Sequence, residues 1–186
     1  MAVIKHIAIH NSPMNLFNYI LREDDPDEDV IVTGLNCSED SQNAYDEFKL
    51  IYEYFSGKPF YSSGNLNGKS PIKLHHYIQS FKPGEVTPEE AHRIGEVWAK
   101  IVFGIDRQIL ISTHTDKNHI HNHFAVSAYS LEGKQWYDNQ KSLNRCKRIS
   151  DQIAKEHGLS VITPKHKNTM KYYEWLARGK GISLLL

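Results

Sequence analysis

The run from His114 to His123, His-Thr-Asp-Lys-Asn-His-Ile-His-Asn-His, places four of the chain's eleven histidines and one carboxylate within ten residues. Neutral imidazole is the commonest metal ligand among side chains, and a nearby carboxylate can fix the tautomer and orientation of a ligating ring. Asp116 is placed for that task. The histidines are internal, alternate with other residue types and follow the apolar segment Gln108–Thr113, which argues against a tag remnant. If residues 119–127 form a strand, the two-residue side-chain period puts His119, His121 and His123 on one face and Ile120, Phe124 and Val126 on the other. One face binds and the other packs. Three ligands with an open position make a catalytic site, whereas four closed ligands make a structural one. A turn between an incoming strand bearing His114 and an outgoing strand bearing His121 and His123 brings these three around one ion, with His119 as the alternative ligand.

The elements that must position this cluster are legible from pattern. Gln108–His114 and His119–Tyr129 read as two strands joined by a short polar turn, an antiparallel hairpin. Alternation in Ala2–Ile9 predicts an opening strand, and Asn11-Ser-Pro13 supplies a helix cap and a first-turn proline for a helix from Met14 to Arg22. Val30–Gly34 is β-rich. Ser38–Ser41 starts a helix whose Phe48, Ile51, Tyr52 and Phe55 recur at helical spacing. The Gly/Ser-rich stretch Ser56–Ser70 is a loop and a candidate substrate flap. Ile72–Phe81 reads as a strand. Thr87-Pro-Glu-Glu90 opens a helix to Phe103 as a capping box, Lys134–Tyr137 adds a last strand, and Gln140–His157 is a helix stopped by Gly158. The segment Asn168–Arg178 looks helical. The fold class is α/β in the α+β sense: a central, mainly antiparallel sheet flanked by helices. Residues 1–163 form one domain, and 164–186 a basic helical segment whose apolar end points to a piece of a longer protein.

With 186 residues and 40% hydrophobic content, the chain can bury one core. No apolar stretch approaches a membrane span and the start lacks the layout of a signal peptide, so the expected address is cytoplasmic, without a membrane partner. Cys37 and Cys146 offer neither a disulfide framework nor a paired-cysteine ligand motif. The net charge of zero hides an asymmetry. Residues 140–186 hold ten Lys or Arg against Asp151, Glu156 and Glu174, a local excess of seven, while Glu23–Asp29 is an acidic solvated loop. A positive stripe beside a metal site is what a phosphate-backbone ligand needs.

The spacing HxD-x4-HxH carried by His114, Asp116, His121 and His123 resembles the third motif of conjugative relaxases of the P class, the mobilization nucleases of the HUH endonuclease superfamily. Asn18-Tyr-Ile-Leu21 resembles that family's first motif, in which the tyrosine is the nucleophile. His75–Phe81 followed by Lys82-Pro-Gly-Glu85 resembles the second, whose serine, here Ser80, contacts DNA near the nick. The similarity continues through Ser150-Asp-Gln-Ile153 and Gly158-Leu-Ser-Val161 and so covers most of the chain. It implies an HUH-endonuclease-like fold and site- and strand-specific nicking and rejoining of DNA at the transfer origin of a mobile element. In that scheme Tyr19 attacks the scissile phosphate, forms a 5′-phosphotyrosyl link and releases a 3′-hydroxyl, with Asp116 and Ser80 assisting. His114, His121 and His123 hold a divalent metal, Mn2+ or Mg2+, with Zn2+ as an alternative. The implied partners are single-stranded or locally melted transfer-origin DNA and accessory relaxosome proteins.

Other readings make different use of the same residues. Tyr19 is one of ten tyrosines and could pack beside Leu16 and Ile20. Ser80 could be a strand-end hydroxyl bonded to backbone, His76 shares its face by alternation, and solvation explains Glu85 equally well. A rolling-circle replication initiator would place its nucleophile after the histidines, at Tyr172 or Tyr173. A zinc hydrolase of a small ester would show no salt-sensitive DNA binding. A metal-stabilised DNA-binding module without catalysis would need His119 as a fourth ligand and would unfold on chelation. For DNA contact the chain offers Tyr61 and Asn65 in the loop, the cations Lys141, Arg145, Lys147, Arg148, Lys165 and Lys167, and the aromatics Trp136, Tyr137 and Trp175.

Overall fold

A computed structural model describes residues 3–23, 30–61, 71–115 and 119–161. In chain order the elements are β1 (Val3–Ile9), α1 (Pro13–Leu21), β2 (Ile31–Leu35), α2 (Ser41–Ser56), β3 (Leu74–Ser80), α3 (Pro88–Phe103), β4 (Arg107–His114), β5 (His121–Ser130) and α4 (Gln140–Glu156). The five strands form one sheet in the order β1-β3-β5-β4-β2, with every neighbouring pair antiparallel. The expected hairpin is β4 and β5, at the centre of the sheet rather than its edge.

Alternation sorts the core into two layers. Leu74, Leu110 and Ala125 turn one way and meet Leu16, Phe17 and Ile20 of α1 and Phe48 and Tyr52 of α2. Tyr77, Ile109, Ile111, Phe124 and Val126 turn the other way and meet Ile94, Trp98 and Phe103 of α3 and Ile153 of α4. Helices therefore cover both faces. The α3 layer comes very close to β5: a Cβ added at Gly95 would lie 2.5 Å from the Asn122 amide nitrogen, so only glycine admits this helix there.

Several local expectations are corrected. Lys134–Tyr137 forms no strand; it makes a single bridge, Tyr129 to Gln135, and the Trp136 N–H donates to the Ala128 carbonyl at 2.8 Å. Pairing cannot extend because Asn139 already caps α4, accepting from the N–H groups of Lys141 and Ser142. Pro13 does occupy the first turn of α1. The Ser12 side chain, however, makes no cap bond, because its backbone is left-handed (φ 47°) and not in the extended conformation that side-chain capping uses. The cap of α2 is Asp40, which accepts from the Asn43 N–H, while Ser38 is bonded to Glu47. At α3, Thr87 accepts from the Glu90 N–H at 3.2 Å. The helix expected over 168–178 lies outside the described residues.

Candidate metal and nucleophile site

The hairpin register sets His114 opposite His121 and Ser112 opposite His123. On the other side of β5, Ser80 pairs with His121 and Ile78 with His123. His114, His121 and His123 are all buried, and each offers one ring nitrogen such that the three atoms lie within 4.8 Å of one another. Their hydrogen bonds indicate which nitrogen carries the lone pair. A carbonyl can only accept, so His114 donates from Nε2 to the Ile20 carbonyl (2.7 Å), which leaves Nδ1 as its ligand atom. His121 donates from Nδ1 to the His119 carbonyl at 3.3 Å, which leaves Nε2. His123 Nδ1 lies 2.9 Å from His76 Nε2, and with His123 as donor its Nε2 completes the set. Three imidazole nitrogens converging on one point fit a divalent cation. Among the described residues this is the only such cluster, and it does not include His119, whose ring centroid is 5.5 Å from that of His121.

Helix α1 brings a phenol to this point. Burying Leu16, Phe17 and Ile20 leaves Tyr19 on the free side, 44% exposed. Its ring centroid lies 5.3 Å from that of His123, 6.2 Å from His114 and 6.3 Å from His76. The next residue locks the helix to the sheet: the Ile20 carbonyl accepts from His114 Nε2 and from the Ser112 hydroxyl, whose oxygen is itself 2.8 Å from His114 Nε2. The helix ends at Arg22 in a left-handed conformation (φ 56°), and the Arg22 guanidinium carbon sits 5.9 Å from the centre of the Tyr19 ring. Spacing gave no sign of Ser112 or Arg22.

Ser80 shares the sheet face of His121 and His123, half-buried at the strand end. His76 joins the site through His123, with the two rings stacked at 5.1 Å. Its neighbour His75 faces the opposite layer, where it bonds His6 at 3.0 Å; His6 in turn pairs with Asp138 at 2.7 Å. Glu85 accepts from the Ser160 hydroxyl and lies 3.9 Å from Lys82 Nζ. Asp116, Asn65, Lys165, Lys167, Tyr172, Tyr173 and Trp175 lie outside the described residues.

Behind the histidines runs a buried polar chain that no spacing in the sequence reveals. The Asn122 side chain, flanked by His121 and His123, donates to Gln79 (3.1 Å) and the Ala91 carbonyl (2.7 Å) and accepts from Thr113 (2.7 Å). Thr113 lies 2.8 Å from His92 Nδ1, and His92 Nε2 lies 2.8 Å from Thr33 Oγ1. The chain ties β3, β4 and β5 to α3 at the level of the three clustered histidines. Asn122→Ala strands these buried partners and is expected to lower stability by about 2–3 kcal/mol in urea unfolding. A loss within error of zero would contradict the role given to the amide.

Burial pushes His75 down to about 3, with the charges of His6 and Arg107 adding to it, and His76 down to about 4, with His6 and His114 adding. Both rings are therefore neutral in the fold at pH 7, whereas in the unfolded chain they protonate near pH 6.5. The unfolded state binds more protons between these values, so the stabilisation is complete above the unfolded value and drains as pH falls toward the folded ones. We expect a metal-free sample to lose about 2 kcal/mol per ring between pH 7 and pH 5. Urea melts at the two pH values test this, and equal stabilities would refute it.

The family model "Relaxase: MobA/VirD2-like, nuclease domain" matches residues 19–159. A Protein rlx of Staphylococcus aureus is 39% identical over 132 residues, covering 69% of this chain and 37% of the relative. The group II intron-interrupted relaxase LtrB of Lactococcus lactis subsp. cremoris is 29% identical over 191 residues, covering 87% of this chain and 34% of the relative. The chain thus spans little more than a third of these curated relatives. In fold it is similar to the MobM relaxase domain, solved Mn-bound with plasmid pMV158 oriT DNA: TM-score 0.60 at 15% identity, covering 94% of this chain and 98% of that one.

Proposed function

Because the chain belongs to the family of MobA/VirD2-like relaxase nuclease domains, we propose that it nicks and rejoins one DNA strand at the transfer origin of a mobile element, with Tyr19 as nucleophile. The observation that carries this reading is the placement of the Tyr19 ring edge-on to His114 and His123, two of the three converging imidazoles, with the adjoining Ile20 carbonyl bonded to His114. A phosphodiester seated between Tyr19 and the histidines would be attacked at phosphorus by the phenolic oxygen. The P–O3′ bond breaks, the 5′-phosphate stays on tyrosine, the phenol's proton is lost and the departing 3′-oxygen gains one. Rejoining is the reverse, driven by the ester energy held in the link.

His114, His121 and His123 would hold the divalent cation, Mn2+ or Mg2+, which when bound draws charge from a non-bridging phosphate oxygen. The chain's own groups do the rest. The bonds to the Ile20 carbonyl fix Tyr19 relative to the phosphate, since small misplacements of a nucleophile are costly. Arg22 places positive charge beside the Tyr19 ring, where it would attract the phosphate. Ser80 donates to the phosphate from the row of His121. Asp116, two residues past His114, orients a ligand ring or takes the proton. Convergence of three ligands without His119 supports an open, catalytic site over a closed structural one.

The nuclease unit would span residues 1–163, with 164–186 as a basic appendage. It would act in the cytoplasm, on single-stranded or melted DNA, with accessory relaxosome proteins. Among the described residues no helix is long and apolar enough to cross a membrane. The test is incubation with an end-labelled single-stranded transfer-origin oligonucleotide and Mn2+. A nicked strand whose 3′ end a polymerase extends is expected, whereas an intact strand, or a 3′ end that cannot be extended, overturns the reading.

A further inference from the structure

The face of the sheet away from Tyr19 carries a second surface of distinct chemistry. At the start of α4 a groove of about 620 Å³ is lined by Trp136, Tyr137, Lys141, Ser142, Arg145 and Arg148. Trp136 anchors it: the indole packs on Phe103 at 4.9 Å and donates to the Tyr77 hydroxyl, on the α3/α4 layer. Tyr137 is 69% exposed. Over residues 135–150 there are four cations, Lys141, Arg145, Lys147 and Arg148, and one acid, Asp138. The Asp138 carboxylate is turned inward, to His6 and the Tyr77 hydroxyl. Arg145 is spent on the carbonyls of Ile101 and Val102 at the end of α3. Among the described residues neither Lys141 nor Arg148 has a carboxylate within ion-pair distance.

The groove thus sets an exposed phenol, Tyr137, beside two cations, Lys141 and Arg148, that have no carboxylate partner among the described residues. It matches a polyanion whose repeating units also carry flat rings, because phosphates take the cations and a base stacks on the aromatic. The groove is not a continuation of the nick site. It opens on the other layer of the sheet, and Trp136 is bonded at Ala128, seven residues along β5 from His121 (121 to 128), which at about 3.3 Å per residue is more than 20 Å of strand. We propose that this α4 groove is a second binding site for single-stranded DNA, holding a segment of the strand remote from the scissile phosphate. The choice of DNA as the polyanion rests on the nicking reading above. A site of this kind would keep hold of the strand while the nick is open.

The test uses the full chain and a fluorescein-labelled oligothymidylate carrying bromodeoxyuridine. In anisotropy titrations across a salt series, Lys141→Glu/Arg148→Glu is expected to weaken binding at least about tenfold and to flatten the salt slope by about two. Its thermal midpoint should match wild type, because neither side chain is used by the core. Ultraviolet cross-linking should link the oligonucleotide to the peptide bearing Tyr137, and Tyr137→Ala should lose that link. Unchanged affinity and slope, or cross-links confined to α1 and the β4–β5 hairpin, overturn the proposal. So does equal affinity for polyglutamate, which would mark a protein-docking surface instead. The covalent product at Tyr19 is scored separately on transfer-origin DNA. If it is absent while the groove effects stand, the nicking reading fails and the second site survives.

Discussion

Tyr19→Phe is expected to fold, to bind DNA as wild type does and to form no covalent link to it, with nicking lowered at least about a thousandfold. The substitution removes one oxygen and nothing else. The ring contacts with His123, His114 and His76 persist, and the anchor of α1 is the Ile20 carbonyl, which the change does not touch. Because Tyr19 is 44% exposed, stability should stay within about 0.5 kcal/mol of wild type. Affinity for a transfer-origin oligonucleotide should change by no more than a factor of about two or three, since phosphate contacts dominate it. Quantitative gels under denaturing conditions, read beside anisotropy, separate the two effects. Retained adduct in Tyr19→Phe would move the nucleophile elsewhere, with Tyr172 and Tyr173 the next to test.

His123→Ala is expected to lower Mn2+ affinity at least about tenfold and the nicking rate more than about a hundredfold. His123 is the middle of the cluster: its ring centroid lies 4.4 Å from that of His114 and 4.8 Å from that of His121, and its Nδ1 faces His76. The alanine also deprives buried His76 of its partner, so some stability should be lost. Chelation of wild type is the clean companion experiment. Two apolar layers, one on each face of the sheet, hold the fold without reference to an ion. EDTA should therefore abolish nicking and leave a cooperative thermal transition, and Mn2+ should restore activity. Unfolding on chelation would assign the cluster a structural role instead.

The hairpin, its histidine faces and the antiparallel sheet were readable because a two-residue period is a local property of the chain. Likewise Thr87 caps α3 as the pattern predicts, since capping depends only on neighbours three residues apart. What could not be read was whatever depends on which layer packs where. Ile20 and His114 are 94 residues apart, and their bond exists only because α1 docks its apolar stripe against α2 and the centre of the sheet. His75 and His76 look equivalent in sequence, yet one faces Asp138 through His6 and the other faces the three clustered histidines through His123. Asn122 reads as filler between two histidines, and its part in the chain from Gln79 to His92 needs three strands and a helix to assemble. The misjudged strand at Lys134–Tyr137 fails for the converse reason. Its alternation is correct, but the cap of α4 starts too soon for pairing to extend.

The most direct test of Tyr19 as the nucleophile is mass mapping of the DNA-linked peptide. Wild-type protein is incubated with Mn2+ and a single-stranded transfer-origin oligonucleotide, digested with protease and nuclease, and sequenced by fragmentation. The expected product is a nucleotide 5′-phosphate carried on Tyr19, in the peptide that includes Asn18 and Ile20. A nucleotide on any other residue, or a nicked strand with no protein-linked nucleotide at all, contradicts it.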